Sequence, residues 1–137
     1  SSLYQGQVLE TILQDVLDTP VSPELLPQED DKIVQKTEDI VGPYELHDFF
    51  IYHMARFGDE PRKLYKKTKL AFKDKYDKDT IKKWLRLFYW RFFSQQFKRS
   101  CIPDGPKVGS VALSPRGDWR MPSDANVQIW LDEVERI

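Results

Sequence analysis

The chain has 137 residues, 31% charged and 13% aromatic, with a net charge of −1 and a mean hydropathy of −0.59. That length suits one domain or part of one, at roughly 100–200 residues per domain, and the aromatic content argues against a fully disordered chain. No apolar run approaches the ~20 residues of a membrane span, no basic-then-apolar leader pattern is visible, and the single cysteine, Cys101, excludes an internal disulfide or a multi-cysteine zinc site.

In chain order, residues 3–17 read as an amphipathic helix. Val8, Leu9, Ile12, Leu13, Val16 and Leu17 recur at helical steps on one face. Pro20 is expected to stop it. Residues 19–43 hold several prolines and an acidic run, and read as a long irregular segment closed by Gly42-Pro43. Such a loop is either a solvated tether or functional. Residues 44–57 form a second helix, with Leu46, Phe49, Phe50, His53 and Phe57 on one face, Pro43 in its first turn and Gly58 as its stop. His53 is expected to be a packed or hydrogen-bonded core histidine, and His47 a surface one.

Pro61 opens a third helix over 61–73, in which Leu64, Leu70, Ala71 and Phe72 supply the apolar contacts. Asp77 or Asp79 caps a fourth over 80–97. There Ile81, Trp84, Leu85, Phe88, Phe92 and Gln96 keep the helical period, and Trp90 and Phe93 extend the apolar surface around it. This is the expected central helix of the core. Residues 100–124 are rich in Gly, Pro, Ser and Asp, with one short strand-like stretch, VGSVAL. A last helix over 125–135 carries Val127, Trp130, Leu131 and Val134, with Ser123 or Asp124 as its cap.

The near-zero net charge conceals a split. Residues 1–48 hold 2 Lys/Arg against 11 Asp/Glu, residues 56–99 hold 15 against 5, and residues 100–137 hold 4 against 6. The basic stretch with interleaved aromatics invites a nucleic-acid reading. Its aromatics, however, follow the core stripe and its lysines the remaining faces, which favours a solvated helix surface. Lys98 and Arg99 stand apart, at the end of the most apolar helix. Two cations there suit either a phosphate clamp or complementation of the helix dipole. Arg116, Asp118 and Arg120 alternate around Trp119 in a loop that can lock itself by ion pairs or dock on another surface, and the Trp–Arg content leans towards docking. Cys101 has no histidine nearby in sequence and reads as a structural thiol. No G-x-G-x-x-G or Walker-type loop is present.

TPVSPELLP at 19–27, QKTEDIVGPYELHDFF at 35–50 and RFFSQQFKRSCIPDGPKVGSVALSPRGDWRMPSD at 91–124 closely resemble the C-terminal end of the bacterial glutamine-dependent NAD synthetase family. The resemblance covers roughly residues 8–135. It implies that residues 1–137 are a C-terminal fragment of a synthetase domain. That fragment is mainly α, about five helices with long loops, from an adenine-nucleotide α-hydrolase-like (Rossmann-like α/β) fold whose sheet and S-G-G-x-D-S loop are absent here. Residues 19–43 would be the mobile loop over ATP and substrate, 44–99 the helical core, 100–124 a Gly/Pro-rich loop and 125–137 the terminal helix.

The family activates deamido-NAD with ATP and magnesium, then amidates it with ammonia drawn from glutamine by a separate glutaminase module. The resemblance implies that Lys98 stabilises the phosphates during adenylation and that Arg99 helps to bind ATP or deamido-NAD. It places Ser22, Glu24, Thr37 and Glu38 near the same nucleotides, the last two as magnesium ligands. It puts Arg116, Asp118 and Arg120 near the ammonia route or a subunit interface. The isolated chain is expected to be inactive and to bind no cofactor. The intact enzyme is expected to be a cytoplasmic homo-oligomer with no nucleic-acid or membrane partner. The alternative is a basic helical module that binds nucleic acid or a scaffold. Helices 3–17 and 80–97 would ordinarily face the absent sheet, so exposed apolar surface is expected.

Overall fold

The computed structural model describes residues 6–19 and 37–137. They fall in two units, 1–40 and 41–137. In chain order the helices are α1 (Gly6–Asp18), α2 (Thr37–Val41), α3 (Tyr44–Phe57), α4 (Pro61–Ala71), α5 (Lys78–Ser94), α6 (Gln96–Ser100) and α7 (Gln128–Glu135). No strand occurs among the described residues. The mainly helical expectation holds. Two short helices, α2 and α6, add to the five expected, and VGSVAL forms no strand because no neighbouring segment pairs with it.

In the first unit, α1 runs close to its expected span. Its side chains at the C-terminal turn bond locally: Gln14 donates to Asp18 Oδ1 at 2.9 Å, and the Thr19 hydroxyl to the Asp15 carbonyl at 2.8 Å. All six residues of its apolar stripe are 42–77% exposed, which matches the exposed apolar surface expected for this helix.

The second unit is built around α5, which packs against α3, α4 and α7. Asp77 is its cap: the carboxylate accepts the Thr80 N–H at 2.7 Å, which settles the choice between Asp77 and Asp79. Ile81, Leu85, Phe88, Tyr89, Phe92 and Phe93 are buried. Burying a side chain of this size contributes about 1.5–3 kcal/mol. Trp90, counted among the apolar surface in sequence, is 44% exposed. The expected single helix 80–97 breaks at Gln95, whose φ of −109° leaves helical geometry before α6 resumes.

The α3 boundaries match the sequence reading, from Pro43 at its start to Gly58 at φ +65°, where the Gly58 N–H reaches the Met54 carbonyl at 3.0 Å. Leu46, Phe50 and Met54 form its buried stripe. Phe57 is exposed at the open end, where its ring meets Tyr52 instead. In α4 the buried face is Pro61, Leu64, Tyr65 and Thr68. Leu70 lies off that phase and is 76% exposed, and Ala71 is exposed too. Thr68 hides its hydroxyl by donating it to the Leu64 carbonyl at 2.8 Å. Helix α7 starts later than expected, at Gln128. Neither Ser123 nor Asp124 caps it; Asn126 Oδ1 accepts the Gln128 N–H at 2.7 Å.

Gly42 joins α2 to α3 at φ +95°, and a Cβ there would lie 2.5 Å from the Trp84 ring. Gly58 has a positive φ but open space around it. Gly42→Ala should therefore cost more than Gly58→Ala, which bears only the left-handed penalty of about 1–2 kcal/mol. Thermal melts of the two variants check this; equal shifts in Tm would show that the Trp84 contact yields freely.

Candidate functional site

The break at Gln95 turns the end of the core helix so that α6 presents Lys98 and Arg99 differently. Gln96 is fully buried. Its amide donates to the Met121 carbonyl at 3.2 Å, and its Oε1 accepts the Arg99 Nε–H at 2.8 Å. A second Arg99 N–H goes back to the Phe92 carbonyl, and the guanidinium carbon lies 4.2 Å from the centre of the Phe92 ring. Burial pushes the Arg99 pKa down from its ordinary value, but an arginine remains charged at physiological pH. Arg99 thus caps the C-terminal end of α5 from inside. Lys98 is exposed and forms no ion pair among the described residues. The pair divides its labour: one cation braces the fold and one faces solvent.

The loop after α6 is cross-braced. Arg116 Nε pairs with Asp104, another Arg116 N–H donates to the Ile102 carbonyl, and Lys107 pairs with Asp118. The Ser114 carbonyl accepts from the Gly117 and Trp119 N–H groups at 3.1 and 3.2 Å. Trp119 then sets its ring edge-on against Phe92, with centroids 5.3 Å apart. Arg99, Arg116 and Asp118 border one cleft of about 710 Å³ formed by residues 102–118. Of the three residues singled out in this loop, Arg116 and Asp118 are engaged in locking it, and Arg120 is exposed.

Glu38 lies exposed in the first turn of α2, and Thr37 opens that helix. Ser22 and Glu24 lie outside the described residues. Among the described residues no cluster of three or more His, Cys, Asp or Glu side chains could hold a metal by itself. Magnesium bound with a nucleotide needs only one or two protein oxygens beside the phosphates. The carboxylate of Glu38 is of that donor type.

Three other expectations meet the structure here. His53 is hydrogen-bonded in the core, as expected. Its Nδ1 lies 3.1 Å from Asp59 and its ring packs on Phe49 at 4.3 Å. His47 is not a surface residue: its Nε2 bonds the Val41 carbonyl, its ring sits between Phe50 and Phe88, and burial lowers its pKa. The helical stripe of α3 is wider than the apolar residues alone suggest. Cys101 is exposed, so it does not serve as a packed structural thiol.

In the basic stretch, Phe88, Tyr89, Phe92 and Phe93 are buried and unavailable for base stacking, while Lys63, Lys67 and Lys75 are tied to Asp59 and Glu45. Gln96, the keystone of the site, stood in the sequence only as a polar residue in phase with an apolar stripe.

The fold and this site define a class: a small helical unit whose central helix ends in one braced and one solvent-facing cation beneath a self-locked loop. Over nearly its whole length the chain is similar to the glutamine-dependent NAD(+) synthetases of Mycobacterium leprae, at 44% identity over 99% of the chain, and of Mycobacterium bovis and Mycobacterium tuberculosis, each at 40% over 96%. The resemblance drawn from residues 19–27, 35–50 and 91–124 is borne out: nearly the whole chain is similar to a segment of proteins named glutamine-dependent NAD(+) synthetases. It spans 22% of the length of these relatives. No protein-family model matches it.

Two outcomes follow from this geometry. Arg99→Ala should destabilise the chain by about 1.5–3 kcal/mol, the worth of hydrogen bonds from a charged group. Lys98→Ala should stay within about 0.5 kcal/mol of the parent. Denaturant unfolding measures both, and equal effects would contradict the division of roles.

Asp59 supplies the second. Burial alone would raise its pKa, but hydrogen bonds and attraction from Lys63 and Lys67 outweigh it and hold the carboxyl at about 2. A carboxyl lowered on folding stabilises above its ordinary pKa and loses that contribution as pH falls. Asp59→Asn should therefore melt below the parent at pH 7, with the gap closing between pH 4 and 2. A pH-independent gap would refute the ion pairing.

Proposed function

We propose that the chain works as part of an ATP-dependent, glutamine-dependent NAD synthetase, a carbon–nitrogen ligase of adenine-nucleotide α-hydrolase-like fold in the cytoplasm. The observation that carries this reading is 40–44% identity over 96–99% of the chain to synthetases so named. In the intact enzyme, ATP adenylates the nicotinate carboxylate of deamido-NAD and releases pyrophosphate. Ammonia delivered from glutamine then displaces AMP to give NAD.

Lys98 is the residue assigned to the phosphates. An exposed ammonium at the end of α6 is a point charge suited to the negative charge that develops as pyrophosphate leaves. That it forms no ion pair among the described residues supports the role. Arg99 serves by fixing the helix end from which Lys98 projects. Glu38 and Thr37 would offer oxygens to magnesium bound with ATP, and the metal would neutralise phosphate charge. Ser22 and Glu24 would line the same nucleotides. The braced loop with Arg116, Asp118 and Arg120 would face the ammonia route or a neighbouring subunit of a homo-oligomer.

The test is ATP–pyrophosphate exchange dependent on deamido-NAD. The chain alone should show none. In the intact enzyme, Lys98→Ala should lower exchange by about 10²-fold or more, as removal of one preorganised stabiliser does, while glutamine hydrolysis changes far less. Unchanged exchange in that variant would remove Lys98 from the phosphate site.

A further inference from the structure

A cavity of about 240 Å³ opens between the end of α3, the α3–α4 turn, α5, the braced loop and α7. Neither Lys98 nor Arg99 lines it. Its walls are mostly apolar, given by Met54, Phe93, Trp119 and Trp130, with the carboxylates of Asp59 and Glu60 at the α3–α4 turn and no cation in the lining. A cavity of about 150 Å³ with such walls already accommodates benzene in other proteins.

Asp59 Oδ1 in the lining is met by the Lys63 ammonium at 2.7 Å, but two other lining residues carry donors that no protein group meets. The Tyr89 hydroxyl and the Trp119 Nε1–H are both buried and without a hydrogen-bond partner. Tyr89 itself is only 2% exposed. Buried donors are almost always satisfied in folded proteins, so two orphans in the wall of one cavity call for an explanation. Burial, followed by the charges of Glu133, Asp59 and Glu60, pushes the Tyr89 phenol up, so it remains a protonated donor. An indole N–H can only donate. Both groups therefore ask for an acceptor, and the aromatic walls ask for a flat apolar body.

We propose that this cavity binds a small neutral aromatic molecule of single-ring size, whose carbonyl oxygen accepts from Tyr89 and Trp119. Asp59 already holds Lys63 and Lys67, so no lining cation is left to meet a carboxylate, which selects against carboxylates. Because Trp119 belongs to the loop and Tyr89 to α5, such a ligand would bridge the two and tighten the loop on the core.

The experiment uses the intact protein and three probes, benzamide, benzoate and toluene, followed by ligand-observed NMR and tryptophan fluorescence. Benzamide should bind saturably and more tightly than either of the others. Tyr89→Phe and Trp119→Phe each keep a ring and remove one donor, and each should weaken benzamide by about three- to tenfold, the worth of one neutral hydrogen bond, without weakening toluene. Tyr89→Phe should leave Tm unchanged or raised, since it removes an unmet hydroxyl, and so serves as the folded control. Absence of saturable binding, toluene binding as tightly as benzamide, or benzamide binding indifferent to both substitutions would each overturn the proposal.

Discussion

Helix α5 buries Ile81, Leu85, Phe88, Tyr89, Phe92 and Phe93, and a helix so apolar is stable in water only when it is covered on several sides. Helices α3, α4 and α7 supply most of that cover, and Trp119 from the loop closes the Phe92 end. The rest of residues 41–137 follows from that demand. Gly42 has no side chain because the Trp84 ring of α5 occupies the space. His47 is drawn between Phe50 and Phe88 for the same reason. Even the surface ion pair Arg86–Glu135 and the hydrogen bond from the Arg62 backbone N–H to Glu133 tie α5 and α4 to the terminal helix that roofs them.

The candidate site is a consequence of how that helix ends. A helix terminus leaves carbonyls without partners, and here Arg99 folds back to meet the Phe92 carbonyl while lying on the Phe92 ring. Gln96 holds Arg99 and the loop carbonyl of Met121 together from a fully buried position. The loop is therefore not an independent appendage: its polar braces, Arg116–Asp104 and Lys107–Asp118, shape it, and Gln96 and Trp119 moor it. A cation that helps to hold the fold and a cation that faces solvent can be neighbours in sequence because α6 turns them to different environments.

Much of this was legible residue by residue. The span of α3 could be read from Pro43, the apolar period and Gly58, since each acts through local backbone geometry. The burial of α5 could be read from the 3.6-residue recurrence of its large side chains. The bounded blocks around residues 35–50 and 91–124 carried the family resemblance that the relatives bear out. Less legible were Leu70 and Phe57, apolar residues that fall outside the packed faces, and His47, a polar residue that falls inside one. Hydropathy ranks a residue by type, whereas burial depends on which face a neighbouring helix covers. The start of α7 was misplaced because Asn126, rather than Ser123 or Asp124, lies where the N–H of Gln128 needs an acceptor.

The sequence by itself determined where helices form and stop, the dominance of α5 and the kinship with NAD synthetases, because periodicity, caps and extended matching blocks are properties of the linear chain. Only the tertiary structure separates the surroundings of Lys98 and Arg99. The break at Gln95, the burial of Gln96 and the return of the loop through Met121 and Trp119 bring together groups far apart in the chain, Gln96 and Met121 being 25 residues apart. Those contacts give Arg99 its partners and leave Lys98 facing solvent, and nothing in the two adjacent letters distinguishes one cation from the other.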